Sequence, residues 1–389
     1  MSVTAPRGFV AAGGSAGIKA GGVPDVAVVV TEDGRAVPAA GVFTSNLAAA
    51  APVQVSRAHL RSTAGRAAGV ILTSGNANAA TGEPGRDAAT RLCAALARGV
   101  DARPEEVLVC QTGLIGIPFP MASVEPHLDR IVASRSGTPD AGAAAARAIM
   151  TTDTVPKVAL VRGEGITVGA MAKGAAMLAP HMATMLALCT TDAAVDPDTL
   201  AAALRAAVDL SFNRMTVDGC TSTNDTVLVL ASGRGGTPSR ASLTAALAEV
   251  CTSLAEQMVD DAEGATKVAH VRVAGAEDDD SAHTAARKVA DSLLVQCSLN
   301  GEDPYWGRVV SELGSAGVAF DMERVSVAYG GVEVCAGGVA RDHDPAAVAA
   351  HMAGRHIEIF CDLGLGSGTA AVLGTDLGYG YIDENRTTS

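Results

Sequence analysis

The stretch from Met171 to Leu188 places the tightest constraint on how this chain can fold. It is apolar almost throughout, yet it carries Lys173, Pro180, His181 and Thr184. Its length is that of a short membrane span, roughly 17–20 residues. Proline breaks a helix interior, and a lysine and a histidine are costly in hydrocarbon. The stretch therefore reads as a buried segment of a globular protein rather than a transmembrane helix. A buried lysine persists where it is paired or has a chemical task, which makes Lys173 a candidate functional residue from the outset.

A chain of 389 residues exceeds one simple core, so two domains or one large layered domain are expected. Hydrophobic residues make up 48% of it but aromatics only 3%, so its bulk must come from aliphatic packing across sheets and Ala-rich helices. A net charge of −13 disfavours nucleic acid and anionic membrane as partners and leaves small substrates open. None of the eight cysteines forms a Cys-x-x-Cys pair, so no zinc ribbon is indicated, and runs such as Val107–Cys110 suggest buried small hydrophobes. The segment Met1–Phe9 lacks the apolar core of a signal peptide, and a cytoplasmic location is expected.

Hydrophobic periodicity predicts strands over 25–31, 41–45, 69–73, 107–111, 157–162, 166–172 and 227–231. It predicts helices over 86–98, 121–133, 139–150, 196–210 and 241–258, the fourth opened by Asp196 and Pro197. Further on, strands near 266–274, 324–328, 331–335, 357–362 and 369–374 are interspersed with helices near 280–299, 306–315 and 345–353. Segment 8–22 reads as a loop of tight turns. Its Lys19 lacks the neighbours that a phosphate loop requires. Strands and helices alternate irregularly, without clean βαβ units, which points to an α+β layered architecture.

Several motifs fail on context. Glu277–Asp280 reads as an acidic first helical turn rather than a metal cluster, and Asp344 before Pro345 as a helix cap beside an exposed His343. His351 and His356 lack a carboxylate at convincing spacing. Gly364–Gly368 is too near the end of the chain to open a dinucleotide fold.

Other segments carry more. They are Ser74–Asn78 with Thr81–Gly82, Thr112-Gly113 through Gly116, and Ile149 through Thr151, Asp153 and Lys157. Lys173 through Thr184-Met-Leu, Asp218 through Ser222–Thr226, Asp261 through Lys267, Asp303 through Trp306 and Arg308, and Tyr381–Asn385 follow. In this order, over nearly the whole chain, they resemble the ornithine acetyltransferase (glutamate N-acetyltransferase) family of arginine biosynthesis. The resemblance implies an α+β fold, a four-layer α/β/β/α sandwich of the DmpA/ornithine acetyltransferase type. It implies self-cleavage between Ala183 and Thr184, giving chains 1–183 and 184–389 interleaved in one core and assembled as a heterotetramer. Thr184 would be the nucleophile that carries acetyl from N2-acetylornithine to glutamate, and Thr112 and Gly113 the oxyanion-hole pair. Thr151, Lys173, Glu263, Asn385 and Ser389 (with Thr388 as the alternative tail residue) would hold the substrate ends. No metal and no resident cofactor are implied; acetyl-CoA as a second acetyl donor stays open.

From the residues alone, Lys173 and Glu263 also suit a buried ion pair. An N-terminal-nucleophile aminopeptidase or hydrolase, and a binding protein that keeps the pocket, remain alternatives. Departures from the family pattern at Ala80, Gln296, Tyr305 and segment 46–52, and a tail one residue shorter, suit a paralogue with different acyl substrates.

Overall fold

The computed structural model describes residues 2–177 and 185–386. The expected scission at Ala183–Thr184, His181, and the tail residues Thr388 and Ser389 lie outside the described residues. The chain divides into two compact units, Met1–Asn213 with Cys220–Met258, and Arg214–Gly219 with Val259–Ser389.

The first unit contains β1 (Phe9–Gly14), β2 (Val26–Thr31), β3 (Val37–Phe43), α1 (Ala51–Ser62), β4 (Arg66–Ala67), β5 (Gly69–Asn76), α2 (Gly82–Val100), β6 (Val107–Leu114), α3 (Met121–Ala133) and α4 (Pro139–Ala148). It continues through β7 (Lys157–Gly163), β8 (Ile166–Lys173), β9 (Leu186–Thr191), α5 (Pro197–Leu210), β10 (Thr226–Ala231) and α6 (Arg240–Asp260), whose last two residues fall in the second unit. One sheet has the order β1-β2-β5-β6 and the other β4-β3-β10-β9-β8-β7.

Strand periodicity explains why these two sheets stack. Successive side chains point to opposite faces, and in the first sheet both faces are covered. Val26, Val28, Val30, Ile71, Val107 and Val109 pack with Leu92, Leu96, Leu128 and Ile131 of α2 and α3. The alternate residues Ala27, Val29, Val70, Leu72, Leu108 and Cys110 pack against Leu186, Leu188, Leu228 and Leu230 of the second sheet. Full burial of each Val or Leu contributes about 1.5–3 kcal/mol. On the far face, α5 packs on β3 and β10. Gln257 of α6 exchanges 3.1 Å hydrogen bonds with the Val158 backbone of β7. The first unit is thus a four-layer α/β/β/α sandwich.

The connectivity corrects one expectation. β5 and β6 are parallel around α2, and β9 and β10 are parallel around α5, so two βαβ units are present. An antiparallel neighbour beside β5, and antiparallel neighbours on both sides of the β9–β10 pair, mask them in the sequence. Part of segment 8–22 is the strand β1, not a loop. Its glycines mark close approaches: a Cβ at Gly13 would stand 2.2 Å from the Ala144 carbonyl oxygen, and one at Gly14 2.9 Å from Ile131 Cγ1.

The second unit contains β11 (Val268–Ala276), α7 (Asp279–Ala290), α8 (Leu293–Asn300), α9 (Trp306–Gly314), β12 (Ser326–Tyr329), β13 (Val332–Ala336), β14 (Val339–Ala340), α10 (Pro345–Met352), β15 (His356–Asp362), β16 (Gly368–Thr375) and α11 (Tyr379–Asn385). Its sheet runs β14-β13-β12-β15-β11-β16. One face, including Val271, Val327, Ile357, Ile359 and Val372, forms a core with Ala285, Val289, Leu299, Val309, Leu313 and Met352 from α7 to α10. The single helix expected over 280–299 is two, because Ser292 accepts from Val295 N–H and starts α8 afresh. No helix among the described residues is long and apolar enough to cross a membrane.

Candidate active site

The pairing of β5 with β6 runs in register to Gly75 and Gly113, then shifts at a bulge at Asn76. Gly113 sits beside this bulge, opposite Gly75, at φ +131°, and a Cβ there would stand 2.3 Å from the Gly75 carbonyl carbon. Only glycine fits. The polar residues nearby are tied together. Asn78 Nδ2 donates to Gln111 Oε1 at 2.8 Å, and Asn224 Nδ2 donates to the carbonyls of Ala77 at 2.6 Å and Gln111 at 2.8 Å. Thr112 is different: it is 1% exposed, and its Oγ1 has no hydrogen-bond partner. An unmet buried hydroxyl costs roughly 1–3 kcal/mol and calls for an explanation, such as a site that becomes satisfied in use.

Lys173 ends β8 and is 3% exposed. Its Nζ lies 3.9 Å from Asp153 Oδ2. Asp153 Oδ1 accepts from Lys157 Nζ at 2.6 Å and from Gly174 N–H at 2.8 Å, and Oδ2 accepts from Thr151 N–H at 3.0 Å. Burial alone would raise this carboxyl. The charges of Lys173 and Lys157, with the hydrogen bonds, outweigh burial and bring it down to about 2. Asp153 thus draws Thr151 and Lys173 to one carboxylate.

Lys19 joins the same region. The loop that carries it wraps the Asp25 carboxylate, which accepts from the N–H groups of Ala16, Ile18 and Lys19 at 2.7–3.0 Å. Lys19 Nζ donates to the Met150 carbonyl at 2.6 Å, directly before Thr151. A Cβ at Gly75 would stand 3.0 Å from Lys19 Cγ. Its stem therefore passes the glycine that Gly113 abuts. Burial lowers the Lys19 pKa.

Met185, the residue after Thr184, donates its N–H to Asp225 Oδ1 at 3.0 Å. Asp225 is fully buried and its Oδ2 has no partner. Burial pushes this carboxyl well above the usual range.

In the second unit, Glu263 is 7% exposed and its Oε2 accepts from Asn385 Nδ2 at 2.9 Å. The same amide donates to Tyr381 O, and Gly264 N–H donates to Glu384 Oε1 at 3.1 Å. A Cβ at Gly264 would stand 2.1 Å from Tyr381 N, so α11 seats directly on this turn.

The structure thus joins Thr151 with Lys173, and Glu263 with Asn385, and places Thr112 and Gly113 beside the β5–β6 bulge. The nucleophile Thr184 and the tail residue Ser389 lie outside the described residues. The carboxylate found beside Lys173 is Asp153, a residue sequence reasoning passed over although it stands in the Thr151–Lys157 motif. Lys19 and Asp225 were passed over too. Asp344 caps α10, as its position suggested; of the expected acidic turn 277–280, Asp279 and Asp280 lie in the first turn of α7 and Asp278 is its cap. The fold brings a carboxylate distant in sequence to His356, Asp260 Oδ1 at 3.6 Å, with His270 at 3.2 Å. The described residues contain no group of three or more side chains suited to a metal ion.

The family model for the ArgJ family matches residues 10–387. This chain belongs to the ArgJ family. Among ArgJ relatives, the arginine biosynthesis bifunctional protein of Thermobifida fusca is 46% identical over 390 residues, covering all of both chains. That of Mycolicibacterium paratuberculosis is 49% identical over 396 residues, covering all of this chain and 96% of the other. A crystal structure of the arginine biosynthesis bifunctional protein from Bacillus halodurans is 35% identical. It aligns with 51% of this chain and 96% of its own, at a TM-score of 0.49.

Proposed function

We propose that this chain is the acetyltransferase of arginine biosynthesis that moves acetyl from N2-acetylornithine to glutamate, working in the cytoplasm. The observation that carries this is end-to-end identity of 46–49% with ArgJ proteins, covering all of this chain. In this reading the chain first cleaves itself. Thr184 Oγ attacks the Ala183 carbonyl carbon, the Ala183–Thr184 amide breaks, and water opens the resulting ester. Ala183 then ends in a carboxylate and Thr184 begins with an amine.

That α-amine, with a pKa near ~7.7–8.0, suits base work at neutral pH. It takes the Thr184 hydroxyl proton as Oγ bonds to the acetyl carbon of N2-acetylornithine. The proton then goes to the departing ornithine nitrogen, and an acetyl-Thr ester remains. Glutamate's amine attacks this ester and leaves as N-acetylglutamate, regenerating the hydroxyl. Thr112 Oγ1 and the Gly113 N–H would donate to the oxyanion, a role that fits a buried hydroxyl with its hydrogen-bonding capacity unspent. One such donor is worth on the order of 10²–10³ in rate. Lys173 and Thr151 would take the carboxylate end of the amino acid and Glu263 with Asn385 the cationic end, completed by Ser389. Acetyl-CoA as a second acetyl donor is our reading of "bifunctional" in the relatives' names. N-acetylglutamate formed from acetyl-CoA and glutamate is the assay for it.

Strands β8 and β9 pair from Lys173↔Leu186 to Val168↔Thr191. Cleavage would place them on different products, so the fragments stay in one sheet as a heterodimer, which we further propose to pair into a heterotetramer. Intact mass of the purified protein should give chains 1–183 and 184–389, and N2-acetylornithine should add one acetyl group to the second. Thr184→Ala should stay one chain and transfer nothing; two fragments from it would sink the nucleophile assignment. Acetyl release to water without transfer to glutamate would point instead to a hydrolase.

A further inference from the structure

Asp153 has no task in the reaction just described, yet Thr151 N–H, Gly174 N–H, Lys157 and Lys173 all converge on its carboxylate. Its side chain is 1% exposed. Two of the four are the proposed carboxylate-binding residues themselves or their backbone, and Gly174 directly follows Lys173. We propose that Asp153 is the positioning residue of the substrate-carboxylate site: it holds Lys173 as an ammonium and fixes Thr151 beside it, so that the two act together on one incoming carboxylate. This rests on the reading in which Lys173 and Thr151 meet substrate.

The geometry divides the carboxylate's work. Oδ1 takes the 2.6 Å contact with Lys157, which is itself fully buried, and this pair anchors the start of β7. Oδ2 faces the site, accepting from Thr151 N–H and standing 3.9 Å from Lys173 Nζ. At that separation Asp153 stabilises the charge on Lys173 without taking up one of its N–H donors. Gly174, at φ +156°, turns the chain immediately after Lys173, and its bond to Oδ1 locks the direction in which β8 ends. Only part of the device is local: Asp153 and Lys157 stand four residues apart and Thr151 two residues before, whereas Lys173 and Gly174 come from the end of β8, where Lys19 and Asp225 also act electrostatically on Lys173.

Asp153→Asn alone would strand a fully buried Lys157, so loss of folding could mimic loss of function. The informative variant is Asp153→Asn/Lys157→Met, which removes the buried pair together, with Lys157→Met as its control. Removing a negative charge near Lys173 favours the neutral amine, so carboxylate binding should weaken as pH rises. The double variant should keep kcat within about threefold, while its KM for N2-acetylornithine climbs from near the wild-type value at pH 6.5 to at least tenfold above it at pH 8.5. Lys157→Met should follow the wild-type profile. A double variant that folds, turns over and shows the wild-type KM profile overturns the proposal, because a purely structural Asp153 predicts that outcome. Should the double variant not fold, Asp153→Glu decides. A carboxylate displaced by one methylene should raise KM several-fold with kcat kept, and an unchanged KM with lowered Tm overturns the proposal. A wild-type protein that transfers no acetyl group at all removes the underlying reading, and this one with it.

Discussion

Asp153 and Asp225 are both buried carboxyls, and their surroundings drive them in opposite directions. Two ammonium groups and two backbone N–H groups hold Asp153 ionised, while burial raises Asp225, outweighing the Met185 N–H bond, the charge of Lys173 and Ser222. The folded-state pKa of Asp225 lies above its unfolded value of about 3.9. Its neutral form is therefore favoured by the fold. The stability this gives is complete below the unfolded pKa and is lost as pH rises toward the raised folded value. Asp225→Asn keeps an oxygen for Met185 N–H and carries no titrating group. Measured in the uncut Thr184→Ala background, chemical denaturation should show the stability difference between Asp225→Asn and its parent shifting in favour of Asp225→Asn from pH 4 to pH 8. A difference that stays constant over that range would mean that Asp225 is not held neutral.

Elements reported themselves in the sequence where one interaction dominates. α3 falls on the expected residues 121–133, and α5 begins after Asp196, whose side chain accepts from Thr199 N–H. β2 showed as an unbroken apolar run because both its faces are buried. The failures have physical causes. Glycines in β1 imitate a loop, although they are there to admit α3 and α4 at close range. α1 went unread: it opens with Pro52 but has no side-chain cap, and its buried residues crowd into the first half. The α7–α8 break rests on one hydroxyl, since Ser292 both accepts from Val295 N–H and donates to Glu312 Oε1 at 2.8 Å. In the uncut Thr184→Ala background, Ser292→Ala should cost about 1–2 kcal/mol in unfolding free energy, by loss of the cap and of a partner for a half-buried carboxylate. A cost near zero would show that the break is set by the backbone alone. The site divides the same way. The motif carrying Lys173, Thr151, Thr112 and Gly113 was legible in order along the chain. The carboxylate that joins two of them was not, because Asp153 and Lys173 meet only when β8 returns beside β7.

At the scale of the molecule, both βαβ units lie inside the four-layer unit, and the sheet β4-β3-β10-β9-β8-β7 draws strands from both sides of residue 184. If the chain is cut there, native size-exclusion chromatography should keep the fragments together, and strong denaturant should separate them. The consequence reaches beyond assembly. In the uncut chain, β8 meets β9 by closing a short connection, a unimolecular event whose entropic cost grows slowly with loop length. Once the bond is broken, the same six pairings from Lys173↔Leu186 to Val168↔Thr191 would have to be found by two separate chains at whatever concentration they happen to have. The mature protein would then be held by a barrier to unfolding rather than by a reversible equilibrium. Wild-type protein diluted out of denaturant should regain little activity, while uncut Thr184→Ala should regain its native circular dichroism. The fold would be written once, into the precursor, and carried afterwards only by the shape already made.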